Sequence, residues 1–300
     1  MTRRNTPRIS FIGFGEAGQA LASGFRDAGI ERIAAWDILF LEPAGARLKT
    51  AGDTIGVRTA SSAADAVHDS DMVISAVTAA SSLEAAGSVA PYLAGNPYYL
   101  DINSVSPGRK QETARLLGER ARYVDVAVVA AIHPARHRTP LLISGPHAEE
   151  ISPLLRELEM QLSVVSAETG AAAAIKMIRS VMIKGIEALT LECFLAAARA
   201  GVLEEVTASL KNNYPTLDWT KIADYNLERM VSHGERRAAE MEESAATLRE
   251  LGLEPLMVDS TVKRQREMGM IGKQKSVRET LKSGRAGMLR AISAAAKDRH

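Results

Sequence analysis

The stretch FIGFGEAGQALASGFRDAG, Phe11 to Gly29, decides the fold. Its pattern Gly13-x-Gly15-x-x-Gly18 is weak by itself, because glycines punctuate any loop. The surroundings give it weight. RISFI (8–12) precedes it as a short buried strand, residues 16–28 follow as a helix, and the next β-rich run, RIAAW (32–36), leads into Asp37. An acidic residue about 20 positions beyond the glycines completes the order of a dinucleotide-binding βαβ unit. Gly13 lets the chain turn tightly, Gly15 lets backbone approach a pyrophosphate, and Gly18 lets helix and strand pack closely. The backbone at Phe14, Glu16 and Ala17 completes a helix N-terminus whose N–H groups face the anion. The bland alternative is a strand-to-helix turn that holds no ligand.

Asp37 at the end of the second strand suits the ribose hydroxyls and repels a 2′-phosphate, which favours NAD; Arg47 and Lys49 nearby keep NADP possible. Val77 and Thr78, at the end of DMVISAV (71–77) and just beyond it, complete the expected cofactor-binding set.

Working outward, β-rich runs alternate with helical stretches as far as about residue 166: after those already named come YYLDI, RYVDVAVV, LLIS and LSVVSA. Such alternation predicts an α/β domain, a Rossmann-type doubly wound and mostly parallel sheet, over residues 1–166. Beyond Glu168 strand signals stop, and residues 167–300 read as an all-α domain. Its first helix, from about Gly170 to Arg199, is apolar on all sides and ends before Gly201. A helix without a polar face belongs in a core or a subunit interface.

Composition narrows the function. The 300 residues carry 37 basic and 36 acidic side chains, a net charge of +1, so no global field favours nucleic acid or an anionic membrane. No apolar run reaches the length of a membrane span, and the basic start lacks the apolar core of a signal peptide. The single cysteine, Cys193, excludes an intramolecular disulfide and fits a reducing cytoplasm; no Cys/His spacing suggests a metal site.

Three clusters are candidates for chemistry. DINSVSP (101–107) follows a strand and presents Asn103, Ser104 and Ser106 where doubly wound folds bind ligands; the same residues are also favoured helix caps. Lys176 is flanked by apolar residues on the long helix, with Ser180 and Glu187 on the same stripe and Lys184 close beside it. The stripe reads as the lining of a site or as snorkelling and interface-paired side chains. SHGERRAAEM (232–241) spaces His233, Arg236, Arg237 and Glu240 to share a face, either as an anion clamp or as an exposed ion-paired helix. The loop HPARHR (133–138) reads as a basic lid over the cofactor edge or as a plain polar loop.

The order FIGFGEAGQALASGFRDAG, Asp37, DINSVSP and GAAAAIKMIRS resembles the β-hydroxyacid dehydrogenase superfamily, which includes 3-hydroxyisobutyrate and 6-phosphogluconate dehydrogenases, over nearly the whole chain. TGAAAAIKMIRSVMIKGIEAL, SHGERRAAEM and LRELGLEPLM look most like the branch with a phosphogluconate-dehydrogenase-like C-terminal domain. The resemblance implies an NAD(P)-dependent oxidation of a small hydroxy acid and a helical domain that forms a homodimer. It implies that Lys176, after Gly170 in a Gly-x5-Lys pattern, takes the hydroxyl proton; Asn103, Ser104, Ser180, Lys184 and His233 are the expected substrate contacts. Two departures stand out. Ser180 occupies a position commonly held by Asn, and DVAVVAA (125–131) replaces the family's Asp-x-Pro-Val-Ser-Gly-Gly substrate loop, which implies a less polar or bulkier substrate. An imine reductase-like enzyme and a catalytically silent dinucleotide-binding module are the alternatives.

Overall fold

The computed structural model describes residues 6–297. Eight strands form one sheet: β1 Ile9–Ile12, β2 Ile33–Trp36, β3 Arg58–Thr59, β4 Met72–Ser75, β5 Tyr98–Asp101, β6 Arg122–Val128, β7 Leu141–Ser144 and β8 Leu162–Ser166. Their order is β3-β2-β1-β4-β5-β6-β7-β8, with every neighbouring pair parallel except β6 and β7. The two-residue edge strand β3 has no counterpart in the sequence reading, since two residues cannot display a period. The helices are α1 Glu16–Asp27, α2 Ala46–Ile55, α3 Ala63–Val67, α4 Ser82–Val89, α5 Pro107–Leu117 and α6 Ala148–Glu157, then α7 Ala171–Ala200, α8 Leu203–Asn213, α9 Trp219–Glu250, α10 Leu256–Ile271, α11 Lys275–Arg278 and α12 Gly284–Lys297.

The chain divides into two compact units, residues 1–176 and 177–300. In the first, alternate strand residues enter two separate cores, as the two-residue side-chain period requires. Phe11, Met72, Ile74, Leu100 and Val124 belong to one; Ile12, Val73, Tyr99 and Tyr123 belong to the other. A sheet covered on both faces explains why its strands read as continuous apolar runs.

In the second unit, Leu191, Phe194, Leu227, Met230, Met268, Ile271, Leu289 and Ile292 form a helical core. Helices α9 and α10 touch through glycine: a Cβ on Gly234 would collide with the backbone of Gln265 and Gly269. Along α7, Ile178, Met182 and Leu189 are exposed, Met182 at 65% and Leu189 at 60%. Among the described residues no helix is long and apolar enough to cross a membrane.

Candidate active site

The glycine turn joins β1 to α1. Gly13 has φ +90°, and a Cβ there would collide with the Ala76 carbonyl at the end of β4. A Cβ on Gly18 would lie 2.6 Å from the Gly13 carbonyl oxygen. Gly15, the α1 N-cap, has no atom within 4 Å of its notional Cβ, and no side chain caps the helix. Open space therefore meets uncapped N–H groups, an arrangement that fits a diphosphate. Glu16 is exposed and Ala17 half-buried in this first turn.

Phe14 is buried between Phe11 and Phe40, so only its backbone faces the turn. Its N–H donates to Asp37 Oδ2 at 2.8 Å, while Leu39 N–H donates to Asp37 Oδ1 at 3.0 Å. Asp37 thus braces the glycine turn and caps the following 3-10 turn. A carboxylate accepts about four hydrogen bonds, so each oxygen retains capacity for a ribose hydroxyl.

Next along the sheet, the ends of β4 and β5 are tied together. Asn103 Oδ1 accepts from Val77 N–H at 2.7 Å and Asn103 Nδ2 donates to Ser75 Oγ at 2.9 Å. The Asn103 amide therefore shapes the loops and is buried within them. Thr78 Oγ1 donates to Ser81 Oγ, and Ser106 caps α5 by accepting from Arg109 N–H. Ser104 differs from its neighbours: its Oγ accepts a 2.5 Å hydrogen bond from Lys176 Nζ, bringing together two residues from separate clusters.

Beneath that pair lies a buried polar network. Lys110 Nζ donates to the Asp101 carbonyl and lies 3.0 Å from Asp101 Oδ1 and 3.4 Å from Asp125 Oδ1. Tyr123 Oη donates to Asp101 Oδ2, and Ser144 Oγ donates to Asp125 Oδ2. Burial beside these carboxylates pushes the Tyr123 phenol well above its ordinary range, so it remains a donor.

In the second unit, α7 and α9 carry the other expected residues. Lys184 is buried, donates to Ser180 Oγ at 3.1 Å and pairs with Glu240 at 2.9 Å. Burial lowers its pKa, with Glu240 opposing the shift. Glu187 is also buried and accepts from both Arg237 and Gln265 Nε2. Arg237 is therefore an internal partner, whereas Arg236 is exposed. His233 lies half-buried on α9, four residues before Arg237. An apolar helix satisfies its internal charges by pairing them, since an isolated buried charge is costly.

A family model described as NADP oxidoreductase, coenzyme F420-dependent, matches residues 8–104, and one described as a domain of unknown function, DUF1932, matches residues 197–268. A conserved hypothetical protein from Sinorhizobium meliloti 1021, of known structure, is 35% identical, with 96% of each chain covered and a TM-score of 0.77. Conserved protein MTH1747, of unknown function and structurally similar to 3-hydroxyacid dehydrogenases, is 31% identical over 87% of this chain and 96% of that one, with a TM-score of 0.70. The chain belongs to the β-hydroxyacid dehydrogenase superfamily. An uncharacterized 28.5 kDa protein of Methanothermus fervidus is 29% identical over 85% of this chain and 96% of its own. More distant structures share the fold: a Mycobacterium tuberculosis 3-hydroxyisobutyrate dehydrogenase with L-serine, at 15% identity, and a Myxococcus stipitatus imine reductase with NAD+, at 23%. The superfamily is one of NAD(P)-dependent oxidoreductases.

For this β-hydroxyacid dehydrogenase homologue, sequence reasoning missed Lys110, Tyr123 and Ser144. The signal was partial: YYLDI and RYVDV each carry an aspartate in a buried strand, which demands a partner, but nothing local names Lys110. HPARHR packs on the C-terminal half of α1, where Arg136 bonds Ser23 and Asp27 and His137 lies against Phe25. It is a packed polar loop, far along α1 from the glycine turn.

Proposed function

We propose that the protein is a dehydrogenase that oxidises the hydroxyl of a small hydroxy acid, with Lys176 as general base and NAD as the preferred cofactor. The 2.5 Å contact between Lys176 Nζ and Ser104 Oγ carries this reading. Ser104 follows β5, one strand beyond β4 and two beyond β1, so the pair lies at the same carboxyl edge of the sheet as the glycine turn. NAD(P)+, when bound, accepts the hydride. Neutral Lys176 takes the hydroxyl proton as the carbinol C–H bond delivers its electron pair and the C–O bond becomes a carbonyl; the ammonium then returns that proton to solvent.

Several residues support this chemistry without touching the reacting atoms. Ser104 orients the amine, and Asn103 holds Val77 and Ser75 in place around it. Ala130 and Ala131, both exposed, offer no hydroxyl to a substrate, in keeping with a less polar or bulkier molecule than the family's usual substrate. Ser180, Lys184 and His233 are further proposed substrate contacts. Residues 1–166 act as the cofactor domain and 167–300 as the substrate and dimerisation domain, a homodimer forming through the exposed apolar stripe of α7. A free, exposed Cys193 accords with a cytoplasmic setting.

The test is NADH formation by the wild-type protein and Lys176→Ala over a panel of 3-hydroxy acids, with NADP in parallel. Turnover lost in the variant while cofactor binding persists supports the reading. Turnover of imines alone would replace it with the imine reductase reading, and binding of NADH without any turnover would favour a silent module.

A further inference from the structure

We propose that Lys110 is a positioning residue for Lys176, acting through Asp101, Asp125 and Ser144 to set the distance between the Lys176 amine and Ser104. The inference rests on the reading of Lys176 as the proton-accepting group. Lys110 is 1% exposed, and an ammonium so deep needs counter-charge close to it. It donates to the Asp101 carbonyl at 2.5 Å and is ion-paired with Asp101 Oδ1 at 3.0 Å and Asp125 Oδ1 at 3.4 Å, the last a charge contact outside hydrogen-bond geometry.

The two carboxylates are register partners on adjacent strands, Asp101 at the end of β5 and Asp125 within β6. Each is the root of a different arm. Asp101 Oδ1 also accepts from Asn103 N–H at 3.0 Å, which turns the chain into the loop bearing Ser104. Asp125 Oδ2 accepts from Ala173 N–H at 3.0 Å in the first turn of α7, the helix that bears Lys176. Ser144 completes the second arm: its Oγ gives its proton to Asp125 Oδ2 at 2.9 Å and accepts from Ala172 N–H at 3.0 Å. Two of the four N–H groups that an α-helix leaves without internal partners are thus held, and Lys176 follows three residues after Ala173.

One ammonium therefore ties the Ser104 arm to the Lys176 arm. Without it, two facing carboxylates would repel each other and pull on both arms. The remaining negative charge meets the positive end of α7. Stability alone does not call for this arrangement, because well-packed apolar groups replace a buried ionic cluster at little or no cost.

The experiment uses the full chain as wild type, Lys110→Met and Ser144→Ala. Trace acetic anhydride labels the lysines over a range of pH, and peptide mass spectrometry reads the labelling rate and pH midpoint of Lys176, beside thermal melting and NADH binding. In Lys110→Met the Lys176 labelling rate is expected to rise about threefold, the scale of one lost hydrogen bond, with a shifted midpoint. Ser144→Ala is expected to move both in the same direction by less. A lower melting temperature with an unchanged Lys176 profile would make Lys110 merely structural and overturn the proposal. If Lys110→Met fails to fold, an unchanged profile in Ser144→Ala overturns it equally. Labelling needs no substrate, so a Lys176→Ala protein that still turns over would remove the catalytic reading separately.

Discussion

Lys176 Nζ and Ser104 Oγ lie 2.5 Å apart although 72 positions separate them in the chain. The contact joins a loop at the carboxyl end of a parallel strand to the first two turns of a helix, and both supports are anchored by buried aspartates. Lys176 is in place because the sheet and the start of α7 are built around one polar network.

Replacing Lys176 with alanine is expected to lower kcat by about 10²- to 10⁴-fold, the contribution of a positioned general base, with NADH binding retained. Ser104→Ala should have a smaller effect in the same direction. Steady-state kinetics with fluorescence titration of NADH checks both, and a Lys176→Ala enzyme of wild-type kcat would refute the assignment.

Two glycines of the turn should behave in opposite ways. Gly18→Ala places a methyl group 2.6 Å from the Gly13 carbonyl and is expected to destabilise the fold by about 1–3 kcal/mol, the cost of overpacking. Gly15→Ala enters open space and should leave the melting temperature near wild type while weakening NADH binding. Paired thermal melts and binding titrations separate these roles; equal stability losses would contradict them.

Asp37 accepts from two backbone N–H groups, so Asp37→Ala is expected to cost roughly 1–3 kcal/mol by leaving them without their acceptor. The same change removes a carboxylate that would repel a 2′-phosphate, so the ratio of NADPH to NADH affinity should rise. An unchanged ratio would assign Asp37 to the turn alone.

Burial holds the Lys184 ammonium below its ordinary value of 10.5, and Glu240 opposes that shift. A lysine whose pKa is lowered by folding binds its proton more weakly in the folded state. Stability therefore rises with pH between the folded-state pKa and 10.5. Glu240→Gln removes the opposing carboxylate and lowers the pKa further. The expected loss of about 1–3 kcal/mol at neutral pH should shrink as pH is raised towards that of the unfolded lysine. Melting curves across the alkaline range test this, and a deficit independent of pH would exclude Lys184 as its source.

The stripe of Ile178, Met182 and Leu189 on α7 is expected to be covered by a second copy. Sedimentation should give a dimer for the wild type, and Met182→Glu with Leu189→Glu should shift it towards monomer. A wild-type protein that stays monomeric at micromolar concentration would leave the stripe without this role.

Local pattern alone determined the mostly parallel sheet, the glycine turn and the helical second half. A buried strand, a turn that needs positive φ and an apolar helix each leave their mark within about ten consecutive residues. The sequence also singled out Lys176 and Ser104, by an ammonium among apolar neighbours and by hydroxyls after a strand. Only the tertiary structure decided that these two meet, that the Asn103 amide is spent on Val77 and Ser75, and that Glu187 belongs to Arg237. Lys110 shows the reason most clearly. Its neighbours along the chain are polar residues of an ordinary helix start, and its partners, Asp101 and Asp125, come from two strands that packing brings beneath it. Periodicity records which face of an element is buried, but the partner of a buried charge is set by register and packing between elements distant in the chain.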